Sequence, residues 1–526
     1  MASLSEVVIS STSAAAPLPL TSIHSVHTGQ TVFSFKSPAP PSTTTTSSLK
    51  GKQVDEGSNE LAQTMSYVPG GNGVASLLLG LGGKDGRALL NVWNTTREST
   101  VARLIPPVRL NTLATSRDGS YLVGGTSDGR VFLWEIATGI LLATLDAHYR
   151  AISCLEFTSD GAALITASED AGVSVWSLGR ILNSTPMNPP TPFTTLSDHT
   201  LGITRVAVGL GSFPNSRVFT ASKDGTVKIW DLSTSPATLL STFQFPAPVL
   251  HLAVDPLERF FFVSVPHTTS TTSASTSTTT ETAGSRVIRV NLFREKKDSF
   301  GIATVEAIGG TGSMGELERI NGDSSEPGVT YTLTEPISAL HLSAHSPTLL
   351  VSTAQSSQIH ILSLPSLLPT RIISPPPSST PYGGLTFLTT TLHPGSMLGG
   401  DASTAYVQRE VASQLGRSVV GVEERERGGR NGRSVTSRVY ESLAVENLIQ
   451  PVRGLDSLPL YGNGGIDAQG AVSGAAGTGP GGGDGGDRER IERLEREIVA
   501  LRKGLGKAKG INERIWKQVV NDTMTG

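Results

Sequence analysis

Apolar and polar positions alternate along this chain in short segments bounded by Gly, Asp, Asn and Ser, and one phrase recurs among them. Residues 221–232 read ASKDGTVKIWDL. In that phrase a small hydroxyl residue, Ser222, ends one strand, Asp224-Gly225 makes a tight turn, and Val227, Ile229 and Trp230 belong to the next strand. Asp-Gly suits a two-residue hairpin turn because the turn needs φ > 0, which Gly supplies without steric cost. The phrase returns upstream as GTSDGRVFLWEI (125–136) and ASEDAGVSVWSL (167–178), with the Asp six residues before the Trp each time: Asp128 and Trp134, Asp170 and Trp176, Asp224 and Trp230. A weaker copy, GGKDGRALLNVW, sets Asp85 eight residues before Trp93 and so predicts a hairpin two residues longer.

Aligned on Trp230, the chain offers seven equivalents: His24, Trp93, Trp134, Trp176, Trp230, Val290 and Leu362. Their spacings are 69, 41, 42, 54, 60 and 72 residues, and two of these fall in the roughly 40 to 45 residues of a WD repeat. The pattern predicts an all-β fold, a seven-bladed WD40 β-propeller over residues 1–395. The longer spacings hold polar insertions: SPAPPSTTTTSSLKGKQ (37–53), HTTSTTSASTSTTTETAGS (267–285) and a Gly-rich loop around 309–328. All three are too poor in apolar residues to form domains and are expected as surface excursions. The chain opens with Glu6-Val7-Val8-Ile9-Ser10 as a second strand, followed by strands near 23–26 and 31–35, with no innermost strand before it. GGLTFLTTTL (383–392) supplies the missing strand from the far end. The expected closure joins both chain ends in blade one and removes an exposed sheet edge.

Two repeats carry a His in the loop before the innermost strand, in DAH (146–148) and SDH (197–199). The pattern predicts hydrogen-bonded blade staples, His148, Ser168, Asp170 and Trp176 in one blade and His199, Ser222, Asp224 and Trp230 in the next. A His, an Asp and a Ser also suggest a hydrolase triad. Here the trio repeats with the fold and accompanies a buried Trp, whereas a triad needs one exposed nucleophile and an oxyanion hole. No catalytic residue, cofactor site or metal-ligand cluster is expected, and GLGGKDG (80–86) reads as a hairpin, not a nucleotide loop. The one cysteine, Cys154, excludes an intramolecular disulfide and a Cys-rich zinc site. A formal net charge of −3 gives no global basic field for nucleic acid. Without a leader-like N-terminus or a long apolar run, a soluble intracellular protein with no membrane partner is expected.

After residue 395 the composition changes. Residues 396–461 read as a charged linker, including GVEERERGGRNGRSVTSR (421–438) and the amphipathic VYESLAVENLIQPV (439–452), which either lies back on the ring or docks a partner. Residues 462–486 form a Gly-rich flexible tether. In 487–521, Ile491, Leu494, Ile498, Leu501 and Leu505 follow the a/d spacing of a coiled coil, with an Ile-at-a and Leu-at-d choice that favours two parallel strands. Gly504, Gly506 and Gly510 weaken the pattern before it resumes at Ile515, Trp516 and Val519. A lone helix of this length is marginal in water, so pairing with its own copy or a partner is expected.

More specific phrases are LWEIATGILLATLDAHYRAI (133–152), SDHTLGIT (197–204), VDPLERFFFVS (254–264) and VNLF (290–293). With the terminal heptad segment, they resemble the WD-repeat subunit of the Rix complex, a fungal family whose animal counterpart is WD-repeat protein eighteen. His148, Tyr149, Asp198, His199, Thr200 and Leu201 match that family's loops before the innermost strands. The resemblance implies a non-catalytic scaffold in the nucleus, both nucleolus and nucleoplasm, that acts in large-subunit (pre-60S) assembly and processing of the second internal transcribed spacer. The partners it implies are a helical-repeat scaffold subunit, a third subunit, the midasin ATPase and pre-60S particles, with self-association through the terminal coiled coil. A generic WD40 adaptor, such as a ubiquitin-ligase substrate receptor or a chromatin- or replication-associated factor, is the alternative function, because the fold alone hosts many.

Overall fold

The computed structural model describes residues 4–12, 21–35, 64–70, 76–82, 89–95, 100–184, 189–272, 279–297, 303–308, 317–320, 329–375, 384–394, 411–412 and 414–416. The heptad positions Ile491, Leu494, Ile498, Leu501, Leu505 and Trp516 lie outside the described residues, as do the linker from 417, the Gly-rich tether and Asp85.

Seven antiparallel sheets make the blades. Blade one is Leu385–Pro394, Leu4–Thr12, Thr21–Ser25 and Thr31–Phe35, from inside out, and blade two is Met65–Val68, Leu77–Gly82, Leu89–Asn94 and Thr100–Leu104. Blade three is Thr112–Thr115, Tyr121–Gly125, Arg130–Glu135 and Leu141–Asp146. Blade four is Ile152–Phe157, Ala163–Ser168, Val173–Ser177 and Thr194–Leu196, and blade five is Ile203–Val208, Arg217–Ser222, Thr226–Asp231 and Thr238–Gln244. Blade six is His251–Val254, Phe260–Thr272, Thr279–Asn291 and Thr330–Leu333, and blade seven is Ile337–Leu342, Thr348–Thr353, Ile359–Ser363 and Pro369–Ile373. Each inner strand touches the inner strands of both neighbouring blades, so the sequence of contacts returns on itself.

The core sits between blades. Its seven apolar clusters among the described residues each join two adjacent blades, one for every junction of the ring. The N-terminal strand shows why. Side chains alternate along a strand, so Val7 and Ile9 pack with Met65, Leu78 and Trp93 of blade two, while Val8 packs with Ala339, Leu350 and Ile361 of blade seven. All three are fully buried, and each such burial contributes on the order of 1.5 to 3 kcal/mol. The strand Leu385–Pro394 covers its inner edge antiparallel, with Val8 opposite Thr390.

Of the three insertions, 37–53 lies outside the described residues, and the other two contribute strands to the sheets. The backbone of the Ser/Thr tract continues the blade-six hairpin, paired as far as Thr272 opposite Thr279. Backbone pairing needs no apolar side chain, so a tract too polar to pack still extends a strand. The Gly-rich insertion falls inside blade six, before its outer strand Thr330–Leu333, and not between blades. From it, Leu317–Arg319 pairs parallel to Thr238–Gln244 as a fifth strand of blade five. Blade four also gains a short helix, Leu178–Leu182, whose Leu178, Ile181 and Leu182 are buried against blade three.

Deleting residues 1–12 removes the strand that packs on both neighbours of blade one. The expected result is loss of the cooperative thermal transition of the full chain, followed by calorimetry; a deletion variant that stays soluble and melts in one sharp transition contradicts the closure.

Candidate functional site

The two His-bearing blades carry matching polar relays. In blade four, His148 Nδ1 lies 3.1 Å from Asp170 Oδ2 and its Nε2 lies 2.9 Å from Thr166 Oγ1. The Trp176 indole N–H donates to the same Thr166 oxygen at 3.1 Å. Blade five repeats this with His199 Nδ1 to Asp224 Oδ2 at 3.0 Å, Nε2 to Thr220 Oγ1 at 2.8 Å and the Trp230 indole to Thr220 Oγ1 at 3.1 Å. A carboxylate only accepts, so the imidazole proton belongs on Nδ1 and Nε2 accepts the Thr hydroxyl. The relay then has one polarity: Trp N–H to Thr O–H to His, and His N–H to Asp.

The serines do not take part in it. Ser168 Oγ bonds the carbonyl of Ala151 at 2.9 Å and accepts the Asp170 amide; Ser222 Oγ donates to the carbonyl of Leu201 at 2.8 Å and accepts the Asp224 amide. Register explains the correction. Leu164 stands opposite Trp176 and Val218 opposite Trp230, so each indole reaches two residues along its neighbour, to Thr166 or Thr220, and the serine lies two further on. The repeated T-A-S at 166–168 and 220–222 was the available signal.

Electrostatics favour the same arrangement. Burial alone would raise the Asp224 carboxyl, but hydrogen bonds from His199, Thr226 and the Thr200 amide outweigh it and hold the group well below the usual carboxylate range. Thr166, Ser168, Thr220 and Ser222 have no exposed surface. The His, Asp and hydroxyl groups therefore face inward and fix loops. What each loop presents follows the His: Tyr149, directly after His148, is 98% exposed, and Leu201, two after His199, is 54% exposed. Asp170 and Asp224 also accept the amides of Tyr149 and Thr200, which holds these tips in place. Beside them, Lys228 pairs with Asp198.

Blades two and three lack that hydroxyl, and the buried Trp93 indole N–H of blade two has no hydrogen-bond partner among the described residues. Gly124 and Gly80 stand at the position of Thr166, next to Trp134 and Trp93. Trp134 instead donates to the carbonyl of Gly416 at 3.1 Å, 282 residues away. The Gly416 and Ala412 amides donate to the carbonyls of Gly139 and Ile136, and Val411 and Leu415 pack on the cluster containing Trp134 and Leu141. Gly139 is required here: its φ is +72°, and a Cβ would lie 2.0 Å from the Gln414 carbonyl. A short segment past the ring is thus strapped to blade three, within the stretch the sequence marks as linker. In blade one, His24 replaces Trp; it bonds Ser22 and Thr31, and burial lowers its pKa to about 4.

Residues 29–189 match the model of the family described as WDR54, and residues 190–231 match that of the WD domain, G-beta repeat. The chain is similar to the pre-rRNA-processing protein IPI3 of Mycosarcoma maydis, 29% identical over 561 residues that cover 93% of each chain. It is also similar to the pre-rRNA-processing protein IPI3 of Yarrowia lipolytica, 33% identical over 61% of this chain and 66% of that one. WD repeat-containing protein 18 of Danio rerio is 35% identical over 35% of this chain and 42% of its own.

Thr220→Val leaves the Trp230 N–H and His199 Nε2 without their shared partner. Denaturant unfolding is expected to show a loss of about 1 to 3 kcal/mol, against a change within about 0.5 kcal/mol for Thr195→Val at an exposed position. Equal effects of the two substitutions contradict the relay.

Proposed function

As a member of the WD-repeat family that includes the IPI3 and WD repeat-containing protein 18 relatives, the chain acts, we propose, in pre-rRNA processing and ribosome biogenesis as a non-catalytic scaffold subunit. The observation that carries this reading is the similarity to a pre-rRNA-processing protein over 93% of both chains, which extends beyond the ring. The site geometry supports it: the groups that resemble a triad are consumed in holding loops, and the loops present apolar tips at Tyr149 and Leu201 suited to protein contact.

In its finer form the proposal places the protein in the nucleus, in large-subunit (pre-60S) assembly and processing of the second internal transcribed spacer. Its partners there are a helical-repeat scaffold subunit, a third subunit and the midasin ATPase. The family resemblance of the loops at 146–152 and 197–204 supports this placement. The heptad sequence at Ile491, Leu494, Ile498, Leu501 and Leu505, continued at Trp516, supports self-association as the way two such rings are joined.

Tagged purification of the full-length chain from nuclear extract tests the reading. Co-purification of midasin, the helical-repeat subunit and spacer-containing precursor RNA is expected. A cullin adaptor or nucleosomes recovered without those precursors overturns it in favour of a generic adaptor.

A further inference from the structure

The turn from the innermost strand to its neighbour has the same form in three blades. In blades three, four and six the amides of Gly119, Gly161 and Glu258 donate to the carbonyls of Ser116, Thr158 and Asp255, and all three donor residues have φ between +54° and +71°. The residues just before them are Asp118, Asp160 and Leu257. Both aspartates serve their turns: Asp118 accepts from the Ser116 and Ser120 hydroxyls, and Asp160 from the Thr158 hydroxyl and the Ala162 amide. Leu257 can do neither, and it is 68% exposed. Blade six braces this turn by other means. Arg259 donates twice to the Asp255 carboxylate, at 2.7 and 3.1 Å, and the Arg217 guanidinium of blade five donates to Glu258 at 2.8 Å. A left-handed backbone is sterically costly for any residue but Gly, and Glu258 adopts it where the other two turns have Gly. The corresponding turn of blade five, 209–216, is longer and leaves Leu210 exposed. Its backbone is tied to blade four, with Ser159 donating to the Leu210 carbonyl at 3.1 Å and the Phe213 amide to Asp160 at 2.8 Å. Three adjacent turns are thereby locked together with two leucines outward. The Arg217 and Arg259 side chains beside them are half-exposed, while their carboxylate partners are mostly buried. The surface shown to solvent is apolar with a cationic border.

Where the chain leaves the ring decides what can cover this surface. In a four-stranded antiparallel blade the turn between the two inner strands and the turn between the two outer strands lie at the same end, opposite the loops between blades that carry Tyr149 and Leu201. The strap at Ala412 and Gly416 bonds Ile136 and Gly139, in the outer turn of blade three. The chain beyond 416 therefore starts from the face that bears Leu210 and Leu257. Between the strap and the amphipathic segment 439–452 lie 22 residues, 417–438, which span at most about 75 Å and about 26 Å on root-mean-square average. A tether of that length holds its end over the face at an effective concentration on the order of millimolar. The segment also matches in kind. Tyr440, Leu443, Leu448 and Ile449 are interspersed with Glu441 and Glu446, and the segment holds no Lys or Arg, so it offers apolar groups to the leucines and carboxylates to the cationic border.

We infer that residues 439–452 of this chain dock on the inner turns of blades five and six, with apolar side chains over Leu210 and Leu257 and the two glutamates toward Arg217 and Arg259. Docked there, the segment leaves the opposite face, with Tyr149 and Leu201, open to other proteins.

A photo-reactive benzoylphenylalanine in place of Leu257 in the full-length chain tests the contact. Trypsin cutting after Arg438 and Arg453 releases 439–453 as one peptide, and its cross-link to position 257 of the same chain is expected. Chains labelled with light and heavy nitrogen are mixed to separate contacts within a copy from contacts between copies. A cross-link to another part of the chain, one formed only between copies, one to a different protein of nuclear extract in place of 439–453, or none at all overturns the proposal. Hydrogen exchange of the full-length chain gives the strength of docking. Amides of 439–452 are expected to exchange about tenfold or more faster when Leu210→Ser and Leu257→Ser are combined, and at an unchanged rate in Ile105→Ser, exposed beyond the outer strand of blade two. Equal rates in all three chains contradict the docking. Should the double substitution shift the melting transition of the ring, the cross-link in the singly altered chain decides.

Discussion

One strand holds the ring together. Leu4–Thr12 lies between two blades and beside the strand from the other end of the chain, and its consecutive Val7, Val8 and Ile9 send side chains alternately into two junctions. A propeller has no central core to fall back on. Each sheet is buried only by its neighbours, so opening one junction exposes two apolar faces and an unpaired inner edge at once. Pairing ends separated by most of the chain costs loop-closure entropy, but that cost grows only slowly with length, whereas the burial is local and large.

On this closed frame the blades differ in how they anchor their third strand, and those differences shape the surface. Where Thr166 and Thr220 bridge His and Trp, the polar groups at the blade top are mutually satisfied and the adjoining loops are held with Tyr149 and Leu201 facing outward. Where Gly124 removes the hydroxyl, the indole of Trp134 takes a carbonyl from the segment after the ring, and the chain is fastened to blade three. The Trp at the same position thus serves either in a relay that fixes an exposed loop or to tie down the segment beyond the ring. In both cases the polar groups are engaged in hydrogen bonds that hold segments of the chain in place.

The fold was legible because its signals are local. Asp-Gly turns at a fixed distance from Trp, and three apolar residues in a row at 7–9, report strand order and two-sided burial without knowledge of distant contacts. The relay was legible only in part: His148, Asp170 and Trp176 are set by the repeat, but whether Thr166 or Ser168 completes them depends on the reach of an indole across a sheet, which is a matter of register. Pairing between remote segments left less trace. Nothing in Leu317–Arg319 marks it as a fifth strand of blade five, since three residues of backbone pairing demand no pattern. The strap at Gly416 meets a Trp134 whose neighbouring strand has Gly124 where the relays have Thr, a difference visible only once Thr is known to occupy that position elsewhere.

The most direct measurement of the closed ring is native-state amide hydrogen exchange, followed by peptide mass analysis of the full-length chain. The account predicts that amides of the N-terminal strand and of Leu385–Pro394 exchange as slowly as those of Arg217–Ser222 in blade five, through the same global opening. Rapid exchange of either terminal strand while blades three to five remain protected contradicts it.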